Sequence, residues 1–176
     1  MDLFELPFIS IRSFLEAGGT VLWVILFVTI LLWTLIIERL FYFRTVVPKL
    51  TAECVREWTN RPEHVSWRAR KIRDMMISEF RIGARRYLKI IHVLMVLLPL
   101  LGLLGTVTGM IQVFNVMSVA GTSNARLMAA GVSAATIPTM AGLVAALSGL
   151  FFVSMLQRRA EGQIKHLEDS LVVGDR

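Results

Sequence analysis

Residues 19–37 read GTVLWVILFVTILLWTLII, nineteen positions without a charge. At roughly 1.5 Å per residue, a helix of this length crosses a hydrocarbon core of about 30 Å. Trp23 and Trp33 lie toward its two ends, as interfacial aromatics do, and Glu38, Arg39 and Arg44 mark the exit. The run is too long for a secretory signal core and follows an acidic tail, so it is expected to be a retained anchor. Two further apolar runs, 90–117 and 127–157, each exceed the ~20 residues a crossing needs. Their ends are expected to project from the bilayer or tilt within it. The stretch between them, SVAGTSNAR at 118–126, is too short to fold alone, which makes the two runs an antiparallel hairpin. Strands would alternate polar and apolar residues over about ten positions, and no such alternation is present. The predicted fold is an all-α membrane protein with three transmembrane helices, the first over 19–44.

The segment between the first two spans, 45–89, has a different pattern. In RPEHVSWRARKIRDMMISEFRIGARRYLK, the residues Ile72, Met76, Phe80, Gly83 and Tyr87 follow at intervals of four, four, three and four. That is one apolar helical face with Arg and Lys around the rest. The spacing predicts a helix that feeds directly into the second span as one long rod. Arg61-Pro62 separates it from a shorter helix near KLTAECVREW.

Charge orients these elements. The chain is 55% hydrophobic and 18% charged, with a formal net charge of +6. Residues 38–89 hold thirteen Lys/Arg against six Asp/Glu, a net of +7, whereas residues 1–18 carry Asp2, Glu5 and Glu16 against Arg12. By the positive-inside rule, 45–89 and the tail from 158 to 176 are cytoplasmic, and residues 1–18 and the 118–126 loop are periplasmic. The basic excess flanks membrane spans and contains no basic–aromatic recognition module. It therefore reads as a solvated inner face attracted to anionic lipids, with no role for nucleic acid. Cys54 is the single cysteine, and His64, His92 and His166 are scattered without ligand spacing, so no metal or cofactor is expected. No nucleophile–base constellation is visible, so neither catalytic residues nor enzyme activity are expected.

LLGLLGTVTGM at 100–110 gives up side-chain volume inside an otherwise bulky run. Gly102, Gly105, Gly109 and Gln112 share one helix face, and Gly105 and Gly109 form a G-x-x-x-G pair that lets backbones approach closely. Ala135, Thr139, Gly142, Ala146 and Gly149 repeat the device on the third span. These positions are expected to serve helix packing or to act as a smooth bearing for a partner helix. Thr106, Thr139, Gln112 and Asn115 add hydroxyl and amide groups, which a water-accessible lumen or a polar partner helix would use. Pro99 and Pro138 are expected to kink their helices, Pro138 by freeing the Ala134 carbonyl. Between Lys89 and Arg158 the only charged residue is Arg126. Proton and ion pathways normally use an intramembrane Asp, Glu or His. Threonine only donates, accepts and orders water, so a titrating carboxylate has to come from another chain. His92, at one mouth of the second span, reads as interfacial. The missing charges and the lack of internal repeats disfavour a self-sufficient carrier.

LLPLLGLLGTVTGMIQVF followed by GVSAATIPTMAGLVAALSGLF resembles the MotA/TolQ/ExbB proton-channel family, most closely its ExbB-like members of TonB systems. The resemblance implies a homopentamer whose second and third helices enclose a pore. Two ExbD-like single-span chains would stand there as a dimer and supply the titrating aspartate. It further implies a bacterial inner-membrane location, with the N-terminus periplasmic and the C-terminus cytoplasmic. The motor would be driven by the proton-motive force and energise a TonB-like partner for uptake of ferric siderophores or vitamin B12. The family's lumen threonines match Thr106 and Thr139. A TolQ-like subunit of a Tol-Pal system is the alternative, and a structural helix-packing scaffold is the reading from a different class. Many members carry a glutamate where this chain has Ala134, and a proline where it has Ser148.

Overall fold

The computed structural model describes residues 18–120 and 125–172. The expectations for residues 1–17, for the hairpin connection at 121–124 and for the last four residues lie outside that range. Five helices follow in order: α1 Gly19–Thr45, α2 Val47–Thr59, α3 Trp67–Arg85, α4 Leu88–Ala120 and α5 Ala125–Ser170. Three helical stretches, whose apolar residues come from α1, α4 and α5, are long and apolar enough to cross a membrane. Only 28%, 28% and 22% of their most apolar windows are buried within the chain. Most of that surface therefore faces lipid or other chains, as a spanning segment requires.

Contacts sort the residues into two compact units. One takes the residues up to Trp33 with Val93–Leu150, and the other takes Thr34–His92 with those from Phe151 onward. In the first unit, Leu22, Ile25, Val28 and Leu32 present one buried face of α1, at steps of three, three and four. Met95 and Leu98 of α4 and Ala135 and Ala146 of α5 are buried in the same unit, and Leu32 and Met95 both approach Gly149.

In the second unit, α5 buries Val153, Leu156, Ala160, Ile164 and Leu167, and Leu171 just beyond its end continues the stripe at helical spacing. The stretch beyond Arg158, read from the sequence as a tail, thus continues the helix to Ser170. Its last turn is closed by side chains from elsewhere. Arg73 donates through Nε to the Leu171 carbonyl at 2.7 Å and through a terminal nitrogen to the Glu168 carbonyl at 2.9 Å. Trp58 Nε1 donates to the Val172 carbonyl at 3.2 Å. Carbonyls without an intrahelical partner are thereby satisfied by a cation at the negative end of the helix dipole. Helix α3 begins at the Ser66 cap, whose hydroxyl accepts from Ala69 N at 3.2 Å. It buries Ala69, Met76, Ile77, Phe80 and Ala84. Ile72 and Gly83 of the predicted stripe sit at the edge of that face.

The predicted rod through residue 87 is broken. Helix α3 ends at Arg85, Arg86 turns extended (ψ 138°), and Tyr87 takes a left-handed φ of 64° before α4 starts at Leu88. A non-glycine residue in that region costs roughly 1–2 kcal/mol. The return is visible at Arg39, which is 2% exposed and lies between the rings of Tyr42 (4.6 Å) and Tyr87 (4.8 Å). A desolvated cation–π contact is worth about 2 kcal/mol, enough to offset the backbone cost. Arg39 also donates to the Gly83 carbonyl at 3.3 Å. Its Nε stands 3.1 Å from Glu38 Oε2, an ion pair without hydrogen-bond alignment.

Cys54 is half-buried on α2. Burial, then Glu57, Glu53 and Glu79, push its thiol above the ordinary cysteine value of 9.0. Maleimide labelling of Cys54 is therefore expected to be slower at pH 8 than for a free thiol. It should keep accelerating as the pH passes 9, as stopped-flow labelling would show. Arg73→Ala is expected to cost about 1–3 kcal/mol through its lost carbonyl bonds. Hydrogen exchange at the end of α5 should rise selectively, leaving the α1–α4 contacts protected.

Candidate functional site

The hairpin of α4 and α5 in the first unit holds the polar and small residues singled out in the sequence, and it is assembled from backbone outward. A Cβ added at Gly102 would lie 2.9 Å from the Thr139 Cα and 3.1 Å from the Pro138 carbonyl oxygen. One added at Gly142 would lie 2.5 Å from the Leu98 carbonyl oxygen. At Gly109 it would meet the Ala135 Cβ at 2.6 Å, at Gly149 the Leu32 Cδ2 at 3.0 Å, and at Gly105 the Pro138 ring. At Gly102, Gly109 and Gly142 the neighbouring atoms include the main chain of the facing helix, an approach that glycine permits.

Gly102, Gly105, Gly142 and Gly149 are buried against the chain's own helices, with Ala135 and Ala146 beside them. At these positions the small side chains allow close packing within the chain. Gln112 is exposed and lies off the packed face. Pro99 and Pro138 sit inside helices that run on without interruption.

The hydroxyls divide as well. Thr139 Oγ1 donates across the interface to the Gly102 carbonyl at 2.8 Å, a bond 37 residues apart in sequence. Thr106 Oγ1 donates to Leu103 O of its own helix at 2.7 Å. Thr108 bonds Leu104 O at 3.0 Å and Gly105 O at 3.1 Å, and Ser148 bonds Ala145 O at 2.7 Å. A hydroxyl has one proton and two lone pairs, so Thr106 has spent its proton and keeps only acceptor capacity. Thr139 is a structural bridge.

Beside the hairpin, a groove of about 480 Å³ is lined by Thr20, Thr108, Gln112, Ala134 and Pro138 among glycines, valines and Met117. Pro138 has no N–H, so the Ala134 carbonyl lacks its usual helical donor. Among the described residues, no group of three His, Cys, Asp or Glu is placed to hold a metal. His92 is exposed. The sequence reading did not find the buried Arg39 or the capping Arg73. Arg39 ends a neutral run and looks like an ordinary exit charge, and nothing local to Arg73 marks it as a cap.

A helical membrane protein with an uncharged, hydroxyl-bearing hairpin is the class these observations define. The family model for the MotA/TolQ/ExbB proton channel family matches residues 44–169, and the chain belongs to that family. The family is one of membrane proton channels and not of enzymes. Neither the curated proteins nor the solved structures compared with this chain gave a match.

Gly102→Ala and Gly142→Ala are each expected to destabilise the hairpin by about 1–3 kcal/mol, because backbone cannot yield to the added methyl. Gly162→Ala is the control, since a Cβ there meets nothing within 4 Å. It should be neutral or stabilising by up to about 1 kcal/mol. Thermal midpoints in detergent distinguish the two groups.

Proposed function

We propose that this chain is the ring-forming subunit of an ExbB-like motor in the bacterial inner membrane, with its N-terminus periplasmic and its C-terminus cytoplasmic. Five copies surround two single-span, ExbD-like helices whose aspartate takes up the proton. The motion is passed to a TonB-like protein that powers uptake of ferric siderophores or vitamin B12. Family membership makes the chain part of a proton channel. The observation that carries the division of labour is chemical. From 90 to 157 the only fixed charge is Arg126 and there is no Asp or Glu, while His92 stands at one mouth of the second span. This chain therefore supplies the sleeve and another supplies the acid.

Within the sleeve, Thr106 offers lone pairs to a water or a carboxylic acid, and Thr139 holds the hairpin closed. Each proton that crosses releases about 2.3 kcal/mol per 100 mV of membrane potential, which is the work available to move the partner helix.

Liposomes containing the purified chain alone should pass no protons above background in a dye-quench assay. Adding a single-span partner with one membrane aspartate should start the flux, and Asp→Asn in that partner should stop it. Motor-like flux from the chain alone overturns the proposal. Thr106→Val should lower partner-dependent flux several-fold, and Thr106→Ser should retain it. Unchanged flux in Thr106→Val would assign the residue to packing alone.

A further inference from the structure

The groove beside the hairpin is walled by three helices of one copy: the start of α1, α4 between Gly105 and Met117, and α5 between Gly131 and Pro138. It therefore differs from a pore that several copies share. At roughly 1.5 Å per residue, its length along α4 is about 18 Å. Gly105, at its inner end, is fifteen residues past Ile90 and twelve short of Met117, close to the midpoint of the second span. The groove thus runs from the hairpin end of α4 and α5 to the middle of that span.

The polar groups along it determine what fills it. The Ala134 carbonyl loses its helical donor to Pro138, and none of the side-chain hydrogen bonds described nearby ends on it. Thr108 has given its proton to the Leu104 and Gly105 carbonyls and keeps its lone pairs. Donors stand opposite these acceptors. The exposed Gln112 amide holds no partner among the described residues, and the first N–H groups of α1 have no acceptor within their helix. At membrane depth an unpaired backbone carbonyl is tolerated only where it is buried in protein or lines a water-filled cavity. A lipid chain would cover the valine walls and leave the carbonyl unpaired, whereas water serves donors and acceptors alike. Space is ample, about 480 Å³, where one water needs only about 10–15 Å³.

We infer that the groove is a water-filled inlet that brings solvent from the hairpin end to the middle of the bilayer and delivers protons at the level of Thr106. Its inner end, Gly105, directly precedes Thr106, whose hydroxyl keeps only acceptor capacity and so can hold a water that donates to it. Along a file of waters a proton passes by turning one hydrogen bond into a covalent O–H while the next O–H is released. Each hop hands on one proton and consumes none. The delivery role rests on the proton-channel function proposed above, but the presence of water does not.

The test uses the full chain with Cys54→Ser and single cysteines at Met117, Thr108, Ala134 or Val107, in spheroplasts that expose the periplasmic side. Met117 marks the mouth, Thr108 and Ala134 the interior, and Val107, 51% exposed, the far face of α4. Each is treated with a small cationic methanethiosulfonate that does not cross membranes and reacts with ionised, hydrated thiols. Thr108→Cys and Ala134→Cys should react within about tenfold of the Met117→Cys rate, and Val107→Cys roughly a hundredfold more slowly. Unreactive interior cysteines beside a reactive Met117→Cys, as a lipid-filled groove would give, overturn the water. Equal reaction at Val107→Cys overturns the groove as its route. In liposomes with the single-span partner, modifying Thr108→Cys after assembly should lower proton flux several-fold, and removing the adduct with a thiol reductant should restore it. Unchanged flux overturns the delivery role. The expected labelling with no flux before modification would overturn the proposed function and leave the water site standing.

Discussion

The hairpin depends on contact between two main chains. Gly102 against Thr139, and Gly142 against Leu98, leave no room for a methyl group, and the Thr139 hydroxyl ties the two helices with a bond to the Gly102 carbonyl. In lipid no hydrophobic force draws helices together, so close packing and hydrogen bonding have to supply the association. The position of the other residues follows from this contact. It turns Leu100, Leu103, Val107 and Ile111 of α4, and Val144 and Leu147 of α5, away from the chain. It also places Gly149 where Leu32 of α1 can settle, so the glycines that join the hairpin also seat the first helix.

The second unit depends on one buried cation. Arg39 ends a neutral stretch, yet it is enclosed by Tyr42, Tyr87 and the Gly83 carbonyl. A guanidinium withdrawn from water needs compensation on most of its surface, and two aromatic faces with one carbonyl provide part of it. The left-handed turn at Tyr87 delivers one of those faces. The strained residue and the buried charge therefore explain each other, and the break between α3 and α4 is a consequence of both.

Much of the architecture is legible in the sequence because it follows from composition and period. The neutral run after Gly19, the Pro62 break and the stripe of Met76 and Phe80 all come from local pattern, and each is found in the structure. The glycine spacing on α4 and α5 also announces a close contact, but it does not name the partner. A helix apolar on all sides has no preferred face in its own sequence. Only the placement of Pro138, Ala135 and Leu98 shows that the glycines are spent within the chain. The Tyr87 turn and the Arg73 cap were not legible for a related reason. Their stabilising partners, Arg39 and the end of α5, lie 48 and 98 positions away, counted from Tyr87 and from Arg73 to Leu171.

The packing of the glycines changes how low friction would arise on the proposed reading. Small residues facing a moving helix would keep steric barriers low, but here the open surface also carries many Leu, Val, Ile and Phe side chains. On that surface the four hydroxyls of the candidate site offer no free proton, and the exposed donors include the amides of Gln112 and Asn115. Thr106, Thr108, Thr139 and Ser148 have each given their proton to a carbonyl of this chain. Aliphatic contacts amount to about 0.1–0.2 kcal/mol per atom pair and have little directionality, so they re-form continuously as surfaces slide. A directional hydrogen bond to the moving helix would contribute about 0.5–1.5 kcal/mol and would have to break at each step. Against roughly 2.3 kcal/mol per proton at 100 mV, two such bonds, about 1–3 kcal/mol together, would be comparable to the stroke. On the proposed reading, hydroxyls satisfied within the chain leave more of that work for the partner helix.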